Sequence, residues 1–239
     1  MNKERLKNGL EKMGIAAEET ALDRFEAFHA ILDEYNARMD LTAVLDEDER
    51  VDRHDLDSAA PLAHGLLMPG AKVIDVGTGA GFPGMPLLIL RPDLQITFLD
   101  ALNKRILFLE DALKRLGLTA ATLHARAEDA AKMAAHREQY DAAVSRAVAN
   151  AATLEELTLP FVKKGGVAIA WKGPGVADEL TAARRAAFLL GGTVRGTVDA
   201  PIPGRDDWAH VLLLTDKTGT TPKAYPRKAG TPNRKPLGQ

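Results

Sequence analysis

Val-Ile-Asp-Val-Gly-Thr-Gly-Ala-Gly-Phe-Pro-Gly, residues 73–84, carries a short apolar run into a glycine-rich loop. Gly77, Gly79 and Gly81 have no Cβ, so the backbone can turn sharply there and let a ligand approach its N–H groups. Doubly wound α/β folds bind nucleotide-like ligands at loops of this kind, between the end of a strand and the start of a helix. The stretch therefore predicts a cofactor-binding loop, and with it an enzyme.

The loop by itself is compatible with three roles. Gly79, Gly81 and Gly84 fit G-x-G-x-x-G, the dinucleotide pattern, in which a helix N-terminus faces a pyrophosphate. The D-x-G-x-G-x-G spacing that begins at Asp75 is instead typical of enzymes that use S-adenosylmethionine (SAM), which has a cationic sulfonium and no phosphate. Asp75 offers that cation a carboxylate, whereas Pro83 removes an N–H that a pyrophosphate could use. A turn that only joins strand to helix is the third role.

Length and composition exclude several classes of protein and of catalytic site. The 239 residues, 46% of them hydrophobic, suit one α/β domain with an extra segment. No apolar run approaches the roughly 20 residues of a bilayer span, and the polar start lacks a signal-peptide core, so we expect a cytoplasmic protein with no membrane partner. The chain has no cysteine, which excludes a cysteine nucleophile, a cysteine-ligated iron–sulfur cluster and a zinc–cysteine site. We predict no metal.

The first 66 residues have a helical pattern. An apolar stripe at helical spacing predicts an amphipathic helix over about 18–37, and a second helix is expected over about 48–66. Residues 1–66 are therefore predicted to form an α-helical N-terminal cap. The stripe, which we interpret as core, consists of Leu22, Phe25, Phe28, Leu32 and Tyr35.

From Lys72 onward, strands alternate with helices, as in a parallel sheet covered on both faces. The last two predicted strands are joined by a short turn and should form an antiparallel closing pair. Residues 67–216 are thus predicted to be a doubly wound, seven-stranded, mostly parallel α/β sheet of the SAM-dependent methyltransferase type. The strands are expected near 72–76, 95–99, 121–124, 140–144, 166–171, 193–199 and 209–215.

Residues 217–239 form a basic, proline-rich C-terminal tail. The net charge of −2 for the whole chain argues against a generally basic nucleic-acid binder, but this stretch contains no acid and no core pattern. We predict an extended segment that is either a solvated end or a contact for RNA. Its cations are Lys217, Lys223, Arg227, Lys228, Arg234 and Lys235.

Polar residues follow the predicted strands where a cofactor would lie. Asp100, at the end of the second strand, could bind the ribose hydroxyls of an adenosyl group or simply open a helix. Ala127 and Glu128 follow the third strand, where the loop would lie over adenine, although a helix cap would look the same. Arg146 ends the fourth strand beside the expected methyl-donor end, where it could bind a carboxylate, contact RNA or form a surface salt bridge.

Three further residues are weaker candidates. Lys172, after the fifth strand, and Arg205, in the closing loop, could bind RNA phosphates at the active edge of the sheet, or could merely be exposed. His54 is interpreted as a structural histidine. These positions, unlike the glycine loop, have no local pattern that predicts a ligand.

Several motifs, in order along the chain, are similar to those of a known family. The sequence resembles the bacterial small-subunit ribosomal RNA guanine-N7 methyltransferases, also called the glucose-inhibited division protein B family, from about residue 22 to 237. The matching motifs are 35–44 (Tyr-Asn-Ala-Arg-Met-Asp-Leu-Thr-Ala-Val), Arg53-His54 with Asp57-Ser58, the glycine loop with Phe-Pro-Gly-Met-Pro-Leu, Leu99-Asp100 with Lys104-Arg105, Arg126-Ala127-Glu128, Ser145-Arg146-Ala147, Trp171-Lys172-Gly173 and the basic ending 225–237.

This resemblance implies a SAM-dependent enzyme that methylates N7 of one guanine in the 530 loop of 16S ribosomal RNA, with the small ribosomal subunit as partner. We expect a monomer. Asp40-Leu41-Thr42 replaces the family's usual Asn-Leu-Thr, which would remove any contact that needs the amide donor. The family's SAM contacts fall on Gly77, Phe82, Ala127, Glu128 and Arg146, and the reading of the residues adds Asp75, Gly79 and Asp100.

The implied reaction agrees with the absence of a general-base motif from the sequence. Guanine N7 has a free lone pair, so attack on the sulfonium methyl needs positioning and no general base. The strand-end sequence Ser145-Arg146-Ala147-Val148 contains no base motif, and we predict no catalytic acid or base. A SAM-dependent methyltransferase of a protein or small molecule, and a SAM-binding protein without turnover, are the alternatives.

Overall fold

A seven-stranded sheet forms the centre of the computed structural model, which describes residues 1–238. The strand order is β3-β2-β1-β4-β5-β7-β6. The strands are β1 (Lys72–Val76), β2 (Gln95–Asp100), β3 (Ala121–His124), β4 (Tyr140–Arg146), β5 (Val162–Lys172), β6 (Gly192–Asp199) and β7 (Val211–Lys217).

Helices precede the sheet and cover both of its faces. None of the helices within residues 1–238 combines the length and the apolar composition needed to cross a bilayer. The helices are α1 (Lys3–Lys12), α2 (Glu19–Met39), α3 (Glu47–Arg50), α4 (Asp57–Ala63), α5 (Gly84–Leu90), α6 (Asn103–Leu116), α7 (Ala127–Ala130), α8 (Ala151–Thr158), α9 (Val176–Leu189) and α10 (Thr231–Arg234).

The strand pairing confirms the predicted fold class. Strands β1 to β5 are parallel to one another, whereas β7 is antiparallel to both β5 and β6. The order reverses at β1, which pairs with β2 on one side and β4 on the other. Ligands of open α/β sheets bind beyond the carboxyl ends of the strands at such a switch point.

The N-terminal helices share one hydrophobic core with the sheet. Phe25 and Phe28 of α2 are fully buried, as the apolar stripe predicted. The Phe28 ring lies 5.6 Å from Phe82 in the glycine loop and 6.3 Å from Phe108 of α6. The helical region therefore packs directly behind the loop that it helps to position.

The helix expected over 48–66 is irregular at its centre. It consists of α3, a π-helical segment (Val51–Leu56) and α4. Side chains use the carbonyl groups of this stretch: Arg146 donates to the Arg53 oxygen at 2.7 Å, and the Trp171 indole donates to the Asp57 oxygen at 2.9 Å. Segments of π-helix occur often at functional sites, and this one faces the ends of β4 and β5.

The C-terminal tail differs from its predicted extended form. It folds back over α8, forms the short helix α10, and buries Pro226 and Pro232. The guanidinium of Arg137 donates to the carbonyls of Thr221 and Tyr225, at 2.8 and 2.9 Å. These contacts are polar and join distant residues, so hydrophobic periodicity could not have predicted them.

A buried acid in α8 makes stability depend on pH. The Oε1 atom of Glu155 accepts from the Thr215 hydroxyl at 2.7 Å, and Oε2 has no partner within residues 1–238. Burial raises the pKa of Glu155 to about 8, from an ordinary value of 4.5. The folded chain binds this proton more tightly than the unfolded chain. The contribution of Glu155 to the free energy of unfolding is therefore complete below pH 4.5 and is lost as pH rises through 8.

We expect Glu155→Gln to remove this loss of stability at rising pH, because the amide keeps an acceptor for the Thr215 hydroxyl and has no titrating proton. Urea unfolding at several pH values between about 5 and 9 would show a falling free energy for the wild type and a flatter profile for the variant. Parallel profiles for the two proteins would contradict the assignment to Glu155.

Candidate cofactor site

A cavity of about 570 Å³ lies at the carboxyl ends of β1 to β4. This volume is in the range of small-molecule sites. Asp75, Lys172 and Arg205 are not part of its wall. Seven of the eight predicted cofactor residues line it: Gly77, Gly79, Phe82, Asp100, Ala127, Glu128 and Arg146.

Asp75 lies beneath the glycine loop. Its side chain is fully buried, and Oδ2 accepts from the Thr78 hydroxyl at 2.6 Å and from the Gly84 N–H at 2.9 Å. Burial raises the pKa of Asp75 to about 6, although these two hydrogen bonds lower it. A Cβ on Gly84 would lie 2.5 Å from Cε1 of Phe98. In this structure, Asp75 holds the loop in shape.

The loop glycines leave the backbone open to a ligand. Gly77 and Gly79 have φ values of 73° and 60°, which favour glycine. A Cβ on Gly77 would lie 2.8 Å from Cγ2 of Val148, whereas one on Gly79 would meet only a carbonyl oxygen at 4.0 Å. Gly79 therefore presents bare backbone to the cavity, as a close-fitting cofactor requires.

Asp100 connects the loop to the end of β2. Its Oδ2 accepts from the Gly79 N–H at 3.0 Å and from Arg105 at 3.2 Å, while Oδ1 accepts from the Leu102 N–H at 2.8 Å. The carboxylate is held firmly at the cavity wall and has the chemistry to accept from ribose hydroxyls. Arg105 also lines the cavity, although its position inside α6 has no local pattern that predicts such a role.

We expect Asp100→Asn to weaken cofactor binding by about 10- to 100-fold, because an amide NH2 replaces one acceptor and would face a donor. Calorimetric titration with S-adenosylhomocysteine (SAH) measures this directly. Asp93→Asn is the matched control, since Asp93 lies before β2 and pairs with Arg91 away from the cavity. Equal affinities for the two variants would argue against a cofactor role for Asp100.

Glu128 lines the same end of the cavity as Asp100, on the side of β3. It is the second residue of α7, directly after β3, and only 5% of it is exposed. Its Oε1 accepts from the Gly230 N–H at 2.7 Å. The helix-cap alternative is not what the structure shows, because the partner of the carboxylate is the C-terminal tail.

Arg146 is held in place by the N-terminal helical region. Its Nη1 donates to the Arg53 carbonyl and, at 2.9 Å, to Oδ2 of the buried Asp57. The guanidinium carbon lies 5.4 Å from the centre of the Phe82 ring. The next residue, Ala147, has φ 57°, and backbone strain of this kind collects at functional sites. Arg146 is thus neither a free RNA contact nor a surface salt bridge.

His54 lines the cavity beside Phe82. Its ring stacks on Phe82 at 4.3 Å, and Nε2 lies 2.8 Å from the hydroxyl of Thr42. Burial, and then the positive charge of Arg146, lower the pKa of His54 to about 3. The imidazole is therefore neutral. Its Nδ1 is buried without a partner among the described residues.

The loop that carries Thr42 is held by α2. The Asn36 side chain donates to the Thr42 carbonyl at 3.0 Å and accepts from its N–H at 2.9 Å. Asp40 ends α2 with φ 49°, a left-handed conformation that Asp and Asn both tolerate. The Asp for Asn difference is thus compatible with the loop, and Leu41 and Thr42 reach the cavity wall.

Lys172 and Arg205 are already paired within the protein. Lys172 is mostly buried, and its Nζ lies 2.7 Å from Oε2 of Glu179. Arg205 donates to the buried Asp52 at 2.6 Å and stacks over Trp208, 4.9 Å from its ring centre. Both pairings stabilise loops near the active edge, and neither cation is placed in the cavity.

Solved structures share this architecture at low sequence identity. The TehB-like SAM-dependent methyltransferase of Corynebacterium glutamicum has a TM-score of 0.51 at 17% identity, covering 80% of this chain and all of that one. The fibrillarin pre-rRNA processing protein of Methanococcus jannaschii has a TM-score of 0.52 at 18% identity, covering 68% and 74% of the two chains. The seven-stranded sheet and strand-end cavity thus have the class I SAM-dependent methyltransferase fold.

Sequence relatives identify the family within this class. Residues 21–201 match the family described as GidB, rRNA small subunit methyltransferase G. The ribosomal RNA small subunit methyltransferase G of Clostridium perfringens strain 13 is 41% identical over 97% of both chains, and that of Lactobacillus delbrueckii subsp. bulgaricus is 43% identical over 99% of this chain and all of the relative. The chain belongs to the rRNA small subunit methyltransferase G family, which confirms the predicted resemblance.

Proposed function

We propose that this protein transfers the methyl group of SAM to N7 of a guanine in the 530 loop of 16S ribosomal RNA. The observation that carries the proposal is the wall of the cavity beside β4. There Phe82, the neutral His54 and Arg146 meet, and the carboxylates that residues 1–238 contribute to the wall, Asp100 and Glu128, lie at the end of β2 and after β3 instead. Such a wall suits a transfer that needs no proton acceptor.

The fold suggests how the cofactor would lie. Asp100 at the end of β2 and Glu128 in the first turn of α7 would hold the adenosyl part, and the glycine loop would cover its middle. The methyl-donor end would then point towards Arg146 at the end of β4. When bound, SAM supplies an electrophilic methyl group on a sulfonium. Phe82 and His54 would exclude water from that end and orient the acceptor base.

The acids in the cavity wall are unsuited to act as a base. Within the described residues, the wall contains Asp100 and Glu128, both already bonded to backbone N–H groups at the adenosyl end. His54, with its pKa lowered to about 3, is a weak base. An exocyclic amine or a 2′-hydroxyl would have to lose a proton, whereas guanine N7 attacks with a lone pair. The site therefore favours N7.

Charge around the cavity supports an RNA substrate. Arg126 lies in its wall, is exposed and forms no ion pair within residues 1–238, whereas Arg105 and Arg146 are paired with Asp100 and Asp57. An exposed cation at the cavity can contact an RNA phosphate even though the whole chain has a net charge of −2. Ribosomal RNA as substrate would also place the protein in the cytoplasm.

Mass spectrometry of 16S ribosomal RNA from a deletion strain tests the proposal. The 530-loop guanine should lack its N7 methyl group in that strain and regain it when the gene is restored. Purified protein should then be offered naked RNA, the small subunit and assembly intermediates with labelled SAM. Unchanged N7 methylation in the deletion strain, or label found only on protein, would contradict the proposed substrate.

A further inference from the structure

The C-terminal segment, residues 227–235, is attached to α8 by a buried ion pair. Glu156 of α8 is fully buried, and its carboxylate accepts from Nε of Arg227 at 2.9 Å and from Nη2 at 2.6 Å. The backbone N–H of Arg227 donates to the same carboxylate at 2.8 Å. A buried carboxylate needs such partners, so the start of the segment is firmly anchored.

The other end of the segment is anchored as well. Arg227 Nη2 donates to the Lys235 carbonyl at 2.7 Å, which closes the segment on itself. The Pro232 carbonyl accepts from the hydroxyl of the buried Thr153 at 3.1 Å. The short helix α10 is therefore held against α8 at both ends and keeps a fixed position beside the sheet.

This position brings the segment to the cavity. The Gly230 N–H donates to Glu128, and Gly230 has φ 77°, which a residue with a side chain adopts at a cost. Asn233 is exposed and forms part of the cavity wall together with Glu128 and Ala127. Its carboxamide makes no hydrogen bond to any other side chain or backbone group of residues 1–238. A free amide thus lies at the adenosyl end.

We propose that the C-terminal segment is a wall of the cofactor site, in which Gly230 positions Glu128 and the Asn233 carboxamide recognises the adenine base. A carboxamide both donates and accepts, which matches the paired amino group and ring nitrogen of adenine. The inference rests on SAM as the methyl donor and is independent of guanine N7 as the target. It gives a defined role in binding to a segment whose sequence predicts only a basic tail.

Calorimetric titration with SAH tests Asn233, because SAH carries the same adenosyl group. We expect Asn233→Ala to raise the Kd about 10-fold, the loss expected for a hydrogen-bonding contact of this kind. Arg234→Ala is the matched control, since Arg234 is the next residue of α10, is exposed and forms no ion pair within residues 1–238. Its Kd should stay at the wild-type value.

An inosine analogue of SAH separates base recognition from a general effect on the pocket. The wild type should prefer SAH over S-inosylhomocysteine, which carries an oxygen in place of the adenine amino group. Asn233→Ala should lose most of this preference. A preference unchanged by the substitution would overturn the role of Asn233 in reading the base.

Hydrogen exchange gives a second readout that does not depend on activity. If the segment walls the site, bound SAH must stabilise its docked position, because the coupling is reciprocal. We expect amides of residues 228–235 to exchange more slowly when SAH is present. Unchanged exchange, with an unchanged Kd for Asn233→Ala, would overturn this inference alone. Failure of the wild type to bind SAH would overturn the cofactor assignment as well.

Discussion

Arg146→Ala should lower the rate of methyl transfer by about 100-fold, the size of effect expected when reacting groups lose their alignment. The arginine joins the Arg53 carbonyl and the buried carboxylate of Asp57, and it lies over Phe82. Its loss would remove all three of these contacts from the methyl-donor end of the cavity. Single-turnover assays with labelled SAM and small-subunit RNA would measure the effect.

The same substitution should also reduce stability, because the Asp57 carboxylate would keep only the His210 ring, at 3.0 Å, as a hydrogen-bond partner. Arg146→Lys distinguishes the two effects, since it retains the charge for Asp57 without the planar guanidinium over Phe82. We expect near wild-type unfolding and a low transfer rate for this variant. Arg195→Ala, which breaks an exposed pair on β6, is the control for general effects. Normal transfer by both Arg146 variants would refute the role.

Arg227→Ala should lower the free energy of unfolding by about 3–5 kcal/mol, the usual cost of leaving a buried charge without its partner. Glu156 would lose three side-chain contacts and keep only a backbone N–H. Urea denaturation would show the change as a lower midpoint. Lys228→Ala, an exposed neighbour with no ion pair among the described residues, should be close to the wild type.

A second substitution tests the cause of this loss. Glu156→Gln in the Arg227→Ala background removes the buried charge, so the double variant should recover much of the lost stability. Without Arg227, the C-terminal segment should detach from α8 in both the single and the double variant. We therefore expect both variants to bind SAH weakly. If Arg227→Ala unfolds at the same urea concentration as Lys228→Ala, the ion pair does not anchor the tail.

The fold and the adenosyl end of the site follow from sequence because they depend on local patterns. The glycine loop, the alternation of strands and helices, and Asp100 at a strand end each restrict the chain within a few residues. The closing pair β6 and β7 was predictable from the short turn between them. Asp75 was in the right loop, but the sequence could not show that its carboxylate lies under the loop.

The rest of the site depends on contacts between distant segments. Glu156 and Arg227 are 71 residues apart, and Glu128 and Gly230 are 102 apart. No periodicity connects such residues, so the tail was predicted to be extended. Lys172 resembled an exposed cation at a strand end, although Glu179, one turn into α9, neutralises it. Polar contacts between distant segments could therefore not be predicted from the sequence, whereas the elements set by hydrophobic patterning could.

Asp57 has a consequence for the order in which the protein can be assembled. Its polar groups meet Arg146, Trp171 and His210, across loops of 89, 114 and 153 residues. Closing a long loop costs entropy before any contact repays it, and contacts of high sequence separation slow folding more than they change stability. The methyl-donor end of the cavity can therefore take shape only after the N-terminal helices have met β4, β5 and the loop before β7, so a substitution of Asp57 should speed unfolding more than it slows refolding.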